Sequence, residues 1–345
     1  MSRTKVSSLA FLLTVASAFL HASNSEADDA WTVFDGSEGP GHGKHIVLVT
    51  GDEEYRSEES MPQMAKILAE RHGFKCTVLF SINKDTGEID PETLDNIPGL
   101  EALDTADLMV LFTRFRELPD EQMKHIIDYT DSGKPVIGIR TATHAFRYVK
   151  HPDSPYAKYS FDSKSFEGGY GRQVLGETWV AHHGDHNRES TRGIVVPGME
   201  HDPIVRGCED IWGPSDVYAL TTLTGDSRPL VLGQVLRGMN PKDEVNSAKK
   251  PLPVAWIKTY TSAQGKPARV FTTTMGHSFD LNCEGFRRLL VNACYWCLGM
   301  EDSIPARNEA GFVGEYNPHD IGVGKHTRGV RPIDHAQQNA ITRER

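Results

Sequence analysis

The stretch PVIGI, residues 135–139, followed by the polar turn RTATH, residues 140–144, decides the fold. An uncharged run that ends abruptly in polar residues is typical of a buried strand that delivers side chains to the edge of a sheet. The same pattern recurs upstream. Similar short apolar runs predict strands at His45–Val49, Phe74–Phe80 and Asp107–Phe112.

Amphipathic stretches separate these strands. One helix is predicted around residues 61–71, with Pro62 in its first turn and Gly73 as its left-handed cap. A second begins after Pro119 and stops at Gly133, and a third helical stretch is predicted around Thr143–Val149. Buried strands that alternate with such helices indicate an α/β fold, a doubly wound and mostly parallel flavodoxin-like sheet covered on both faces.

The second half of the chain has more strand character. We predict strands at Arg192–Val196, Val217–Leu223, Leu230–Leu236, Pro253–Tyr260 and Ala268–Met275, with an exposed hairpin tip at Met239–Lys250. Glu284–Leu298 is predicted as a long final helix because its apolar residues follow a helical repeat.

The N-terminus predicts export. Arg3 and Lys5 precede an apolar run, Leu9–Leu20, that is too short to span a bilayer and is followed by small and polar residues. Residues 1–27 are therefore interpreted as a signal peptide of a periplasmic or secreted protein, with a retained anchor as the alternative. We divide the rest into an N-terminal lead (28–43), an α/β domain (44–300) and an irregular C-terminal tail (301–345).

The charge balance argues against nucleic acid as a partner. The chain carries 37 basic and 47 acidic side chains, a net charge of −10, and no basic stripe. After removal of the signal peptide no membrane partner is expected either, and the sequence does not set the oligomeric state.

Ligands of open α/β sheets bind outside the carboxyl ends of the strands. That rule selects the loops after the strands as the place for ligand-binding side chains. The candidates from these loops are Asp52, Glu53, Arg56, Arg114, Arg140, His144, His277 and Ser278.

Three segments carry a family resemblance. Val136–His144 (VIGIRTATH) resembles the G-[IL]-H-A-A-T segment of trehalose-utilisation (ThuA-like) proteins, Val270–Ser278 resembles their late strand ending in Gly-His, and Phe286–Trp296 resembles their last helix. The similarity runs from His45 to Gly299. It implies a fold of the class I glutamine-amidotransferase-like superfamily and a role in carbohydrate metabolism, on disaccharides or 3-keto sugars.

The resemblance also implies roles for individual residues. Arg140 stands at the elbow where amidotransferases carry a nucleophilic cysteine, so glutamine amidotransferase activity is not expected. ThuA-like proteins usually have histidine there, so Arg140 departs from this branch too. His277 is the expected general base or acid and Arg140 the group that holds an oxyanion or carbonyl. Asp216 and Tyr218, in a segment similar to the family's D-E-x-Y, are expected to face the cleft.

From these roles we expect Arg140 and His277 to lie across one cleft. We also expect His277→Ala to leave stability nearly unchanged.

A histidine cluster offers a different chemistry. Imidazole side chains such as those of His182, His183 and His186 bind transition metals. In an extended segment, however, His182 and His183 would point to opposite faces. No cofactor other than such a divalent metal is expected.

The functional expectation is an enzyme that acts on a small carbohydrate ligand as a hydrolase, lyase or isomerase. Two alternatives remain open: a non-catalytic sugar-binding protein on the same scaffold, and a metal-dependent hydrolase that uses the His182–His186 cluster.

Overall fold

The computed structural model describes residues 30–220 and 222–336, so the predicted signal peptide lies outside it. Its centre is a ten-stranded sheet in the order β1-β3-β2-β4-β5-β12-β11-β10-β7-β8, with β6 and β9 paired separately. The strands are β1 Trp31–Phe34, β2 His45–Gly51, β3 Lys75–Leu79, β4 Leu108–Thr113, β5 Val136–Ile139, β6 Ala181–His182, β7 Thr191–Val195, β8 Trp212–Gly213, β9 Tyr218–Ala219, β10 Arg228–Val235, β11 Leu252–Thr261 and β12 Pro267–Thr273.

The middle of the sheet is parallel. Strands β3, β2, β4, β5 and β12 run in one direction, and the strands from β11 outward are antiparallel additions. On β2 the side chains of Ile46 and Leu48 join one apolar core, while Val47 and Val49 join the other. The apolar run Ile46–Val49 is therefore buried on both faces, which confirms the predicted α/β class.

Three α-helices cover these faces: α1 Ser57–His72, α2 Asp120–Asp131 and α3 Glu284–Cys297. Gly73 caps α1 in the left-handed conformation with φ of 79°, as predicted. The prediction for Pro62 was wrong, because α1 begins at Ser57 and Pro62 lies in its second turn. No helix in the described residues is long and apolar enough to cross a bilayer.

Two further predictions are corrected. The helical stretch around Thr143–Val149 is a single 3₁₀ turn, Arg140–His144, after which the chain is extended and pairs with the segment following β4. The amide of Arg147 donates to the carbonyl of Arg116 at 3.0 Å, so this pairing replaces helical hydrogen bonds. The predicted strand Val217–Leu223 is reduced to β9, two residues that pair with β6.

Both ends of the described chain pack on the α/β core. The lead contains β1, an edge strand of the sheet that periodicity did not reveal. The tail from Ile304 onward crosses α1 and α3, where Arg287 and Arg288 donate to the carbonyls of Ala310 and Asn308 at 2.6 Å each. The described part of the tail is fixed by buried arginines of the core.

Arg56 is the strongest attachment of the tail near the sheet edge. Its side chain is fully buried and its guanidinium donates to the carbonyls of Asp320, at 3.2 Å, and of Gly322, while pairing with Glu58 at 3.2 Å. Because this guanidinium is fully buried and bonds to the tail, the structure places Arg56 in the tail contact instead of at an accessible binding site.

We expect Arg56→Gln to lower the free energy of unfolding by about 1.5–3 kcal/mol, the range for hydrogen bonds to a charged group. Limited proteolysis should then cut the tail near Gly322 faster than in the wild type. Arg328→Gln, an exposed change in the same tail, is the control and should alter neither quantity. Equal cleavage rates for the two variants would contradict the anchoring role.

Candidate active site

The turn after β5 holds Arg140 in a left-handed backbone conformation, with φ of 48°. Its guanidinium is fully buried, and Nη1 donates to the carbonyls of Asp216 and Thr274 at 2.7 and 2.6 Å. Nη2 donates to the Tyr55 hydroxyl at 3.1 Å and to Asp216 Oδ1 at 2.7 Å, and the group lies 3.9 Å from the ring centroid of Tyr218. Arg140 therefore holds the neighbouring side chains in place, and its Nη groups donate hydrogen bonds to protein atoms.

Asp216 is the centre of this arrangement. Besides Arg140, its carboxylate accepts from His182 Nδ1 at 2.7 Å and from His186 Nδ1 at 3.1 Å. Burial alone would raise the pKa of Asp216, but the charge of Arg140 and the bonds from the two histidines hold it well below its usual range. The carboxylate is thus ionised and orients two imidazoles at once.

His186 lies between two carboxylates. Its Nε2 is 3.2 Å from Glu54 Oε1, while Nδ1 faces Asp216. Hydrogen bonds to Asp216 and then to Glu54 raise the pKa of His186 to about 9, against the opposing effect of burial. At neutral pH this imidazole is therefore a fixed positive charge.

His182 is arranged differently. Its Nδ1 donates to Asp216 and its side chain is 36% exposed, while Nε2 has no hydrogen-bond partner in the described residues. When neutral, this tautomer leaves the Nε2 lone pair open to solvent, the disposition of a general base oriented by a carboxylate. The ring centroids of His182 and His186 are 4.8 Å apart, so a positive charge stands beside this base.

The third histidine of the predicted metal cluster lies elsewhere. His183 Nε2 is 2.9 Å from the carbonyl oxygen of Lys250, because successive residues after β6 point to opposite faces. The structure instead brings Asp216 to His182 and His186, with one ligand atom from each within 4.8 Å of the others. Two imidazoles and a carboxylate suit a divalent transition metal.

His277 has a structural environment. Its Nδ1 accepts the amide N–H of Phe279 at 3.0 Å and its own amide donates to Asp280 at 3.1 Å, which makes it the cap of the 3₁₀ turn Ser278–Asn282. Burial, and then the charge of Arg140, lower the pKa of His277 to about 3. The neutral ring carries its proton on Nε2, so it has no free lone pair for a general base. Both His277 and Arg140 contact the Tyr55 ring, with the His277 ring centroid at 6.2 Å and the Arg140 guanidinium at 4.5 Å from its centroid.

The expectation that His277→Ala would be neutral is therefore revised. We expect this change to lower the free energy of unfolding by about 0.5–2 kcal/mol, the cost of losing a helix cap. His277→Asn keeps a side-chain acceptor at the same place and should recover part of the loss. Urea unfolding of the three proteins measures this, and equal stability of His277→Ala and wild type would contradict the capping role.

The acidic residues predicted after β2 are used inside the protein. Asp52 is buried, and its carboxylate accepts from the amides of Glu54 and Tyr55 at 2.7 and 2.6 Å. Glu53 pairs with Arg116 at 2.8 Å and also with Arg114. Burial raises the pKa of both carboxyl groups despite these partners. Asp52 and Glu53 therefore hold the loop after β2 in place. Arg114 is partly exposed and lies at the surface.

The remaining predicted ligand residues are also internal. His144 is buried among aromatic rings and burial holds its pKa well below the usual value. Ser278 is buried, 3.4 Å from the carbonyl oxygen of His319, and Tyr218 lies beneath Arg140. None of the three presents a polar atom to solvent.

Glu54 and Tyr55 are the site residues that sequence reasoning passed over, although both lie in the loop it selected. No pattern in the sequence marks which of five consecutive polar or aromatic side chains turns toward the cluster. Backbone strain, visible only in the structure, does mark the region. Four of the five non-glycine residues with positive φ in the described chain lie in the loops around it: Arg56, Phe115, Arg140 and Asn187.

The cluster lies on an open surface. A cavity of about 700 Å³ is found elsewhere, between α1 and the tail, and a second of about 330 Å³ lies beside Lys150 and His151. We place the site at Asp216 because two partly exposed histidines converge there on one ionised carboxylate. The larger cavity is lined by the His319–Glu59 pair, in which one histidine meets one carboxylate.

A parallel sheet with polar side chains at the carboxyl ends of its strands, and an elbow residue after β5, define a protein of the amidotransferase-like α/β class. The chain belongs to the ThuA family, described as trehalose utilisation, which matches residues 45–297. No curated protein matches significantly.

Among solved structures, a ThuA-like protein from Parabacteroides merdae is similar, with 17% identity over 74% of this chain and 90% of that one, at a TM-score of 0.46. Another from Bacteroides uniformis has 16% identity over 78% and 96%, at 0.44.

Proposed function

We propose that this protein is exported and processes a small carbohydrate, a disaccharide or its 3-keto derivative, by acid–base chemistry at the Asp216 cluster. The family supports a role related to trehalose utilisation. The observation that carries the chemistry is the pair of histidines on one ionised carboxylate, one charged and one with an open Nε2.

Each group has a distinct part in this proposal. His182 Nε2 removes a proton from a sugar hydroxyl or from a carbon beside a keto group, with Asp216 stabilising the imidazolium that forms. The charge on His186 stabilises an oxyanion that develops beside His182. Arg140 is a positioning residue that keeps Asp216 ionised and oriented, in place of the direct oxyanion role expected from the sequence.

A metal-dependent hydrolase is the second candidate, favoured by the convergence of the same three side chains. A divalent ion would be held by His182, His186 and Asp216 and would displace protons from the imidazoles, so its binding would strengthen as pH rises. Elemental analysis of the purified protein decides between the candidates. Metal retained by wild type and His183→Ala but lost in His182→Ala would favour the metal enzyme.

A screen of ordinary and 3-keto disaccharides by mass spectrometry tests the function itself. We expect conversion of at least one sugar by wild type and conversion about 10²–10⁴-fold slower by His182→Ala. Binding of a sugar without any conversion would favour the third reading, a non-catalytic sugar-binding protein.

A further inference from the structure

A row of half-buried aromatic rings leads away from His182 along the surface. The Trp179 ring lies 5.8 Å from that of His182, Phe161 lies 6.4 Å from Trp179, and Phe115 lies 5.3 Å from Phe161. We call Trp179, Phe161 and Phe115 the aromatic shelf. All three are partly exposed, although aromatic side chains of this size contribute most to stability when fully buried.

The shelf is rigid because the backbone of each member is held by neighbouring segments. The amide of Phe115 donates to the carbonyl of His144 at 3.0 Å, that of Phe161 to Phe146 at 3.0 Å, and that of Trp179 to Thr143 at 3.3 Å. Phe115 has a φ of 53°, a strained conformation that persists only where surrounding structure imposes it. The partly exposed rings are thus held in place in advance of any ligand.

Hydrogen-bond donors border the shelf. The Arg147 guanidinium lies 5.7 and 5.8 Å from the ring centroids of Phe115 and Phe161, and its side chain is about half exposed. Its ion-pair partner Asp162 is 3.8 Å away, a weak contact that a ligand can replace. The Arg114 guanidinium also lies 4.5 Å from the Phe115 ring centroid, but it is paired with Glu53 and, at 3.2 Å, with Glu54, so Arg147 is the donor open to a ligand.

We propose that the aromatic shelf is the subsite for the second ring of a disaccharide whose first ring reacts at His182. A pyranose ring has an apolar face of C–H groups, which packs on aromatic rings, and a rim of hydroxyls, which accept hydrogen bonds from guanidinium groups. Because the shelf adjoins His182, the two rings of one disaccharide, joined by a single glycosidic bond, can lie at His182 and on the shelf. This inference rests on the proposed function and adds the place where the second ring of the substrate binds.

The test compares the binding of one-ring and two-ring probes. Isothermal titration uses glucose, trehalose, other glucosyl disaccharides and their 3-keto derivatives with wild type, Trp179→Ala and Trp179→Phe. We expect Trp179→Ala to raise the Kd of the bound disaccharide about tenfold, Trp179→Phe to raise it less than threefold, and glucose binding to be unchanged. Trp296→Phe, a half-buried tryptophan on α3, is the matched control and should change nothing.

Two results overturn the proposal. One is an unchanged disaccharide Kd in Trp179→Ala, and the other is an equal loss of glucose and disaccharide affinity. If the disaccharide Kd of Trp179→Ala is unchanged while His182→Ala still loses turnover, the shelf is not a subsite and the proposed function stands. If wild type binds none of the probes, both fail together.

Discussion

Asp216→Asn is expected to lower the free energy of unfolding by about 3–5 kcal/mol, the cost of leaving a buried charge without its partner. Arg140 is fully buried and Asp216 is its carboxylate partner at 2.7 Å. Because asparagine has nearly the same shape as aspartate, the loss in the free energy of unfolding reports the removal of the charge and not a change in packing. Urea unfolding of wild type and variant gives the difference directly.

Asp162→Asn is the matched control for this experiment. Asp162 also faces an arginine, Arg147, but both side chains are about half exposed and 3.8 Å apart. Exposed pairs contribute about 0–1 kcal/mol, so this variant should be close to wild type in stability. Similar losses in the two variants would show that Asp216 does not hold a buried charge.

His182→Ala is expected to reduce turnover about 10²–10⁴-fold, the usual contribution of a general base. Stability should fall by less than about 1 kcal/mol, because a single, partly exposed hydrogen bond is lost. Turnover is measured on the sugar that the mass-spectrometric screen identifies. His183→Ala provides the control, since the neighbouring ring bonds to the Lys250 carbonyl outside the cluster. Equal activity of the two variants would remove His182 from the mechanism.

The fold was predictable because its signals are local. An uninterrupted apolar run such as Ile46–Val49 of β2 is buried on both faces, which together with the intervening amphipathic helices favours a parallel sheet. The turn after β5 followed in the same way, and the resemblance to the family then placed Arg140 at its elbow. The edge strand β1 was missed because four residues in a lead segment carry too short a pattern.

The site was only partly predictable because hydrogen bonds that form only in the folded chain fix the role of each histidine. His277 was assigned as the base from its position after a late strand, but an amide two residues away occupies its Nδ1. His182 and His186 were selected as metal ligands without Asp216, which is 30 residues further along and reaches them only in the folded sheet. The position of Arg140 in the turn after β5 was predictable from the sequence. Its role as a buried positioning residue was not, because its burial depends on Tyr55 and Tyr218.

The central claim is that Asp216 and Glu54 hold a positive charge on His186 next to His182. The measurement that tests it most directly is an NMR titration of the histidine rings in the wild-type protein, with His186→Gln used to assign the His186 signals. The account predicts that His186 titrates with a pKa of about 9. A pKa at or below the ordinary value of about 6.5 would contradict it.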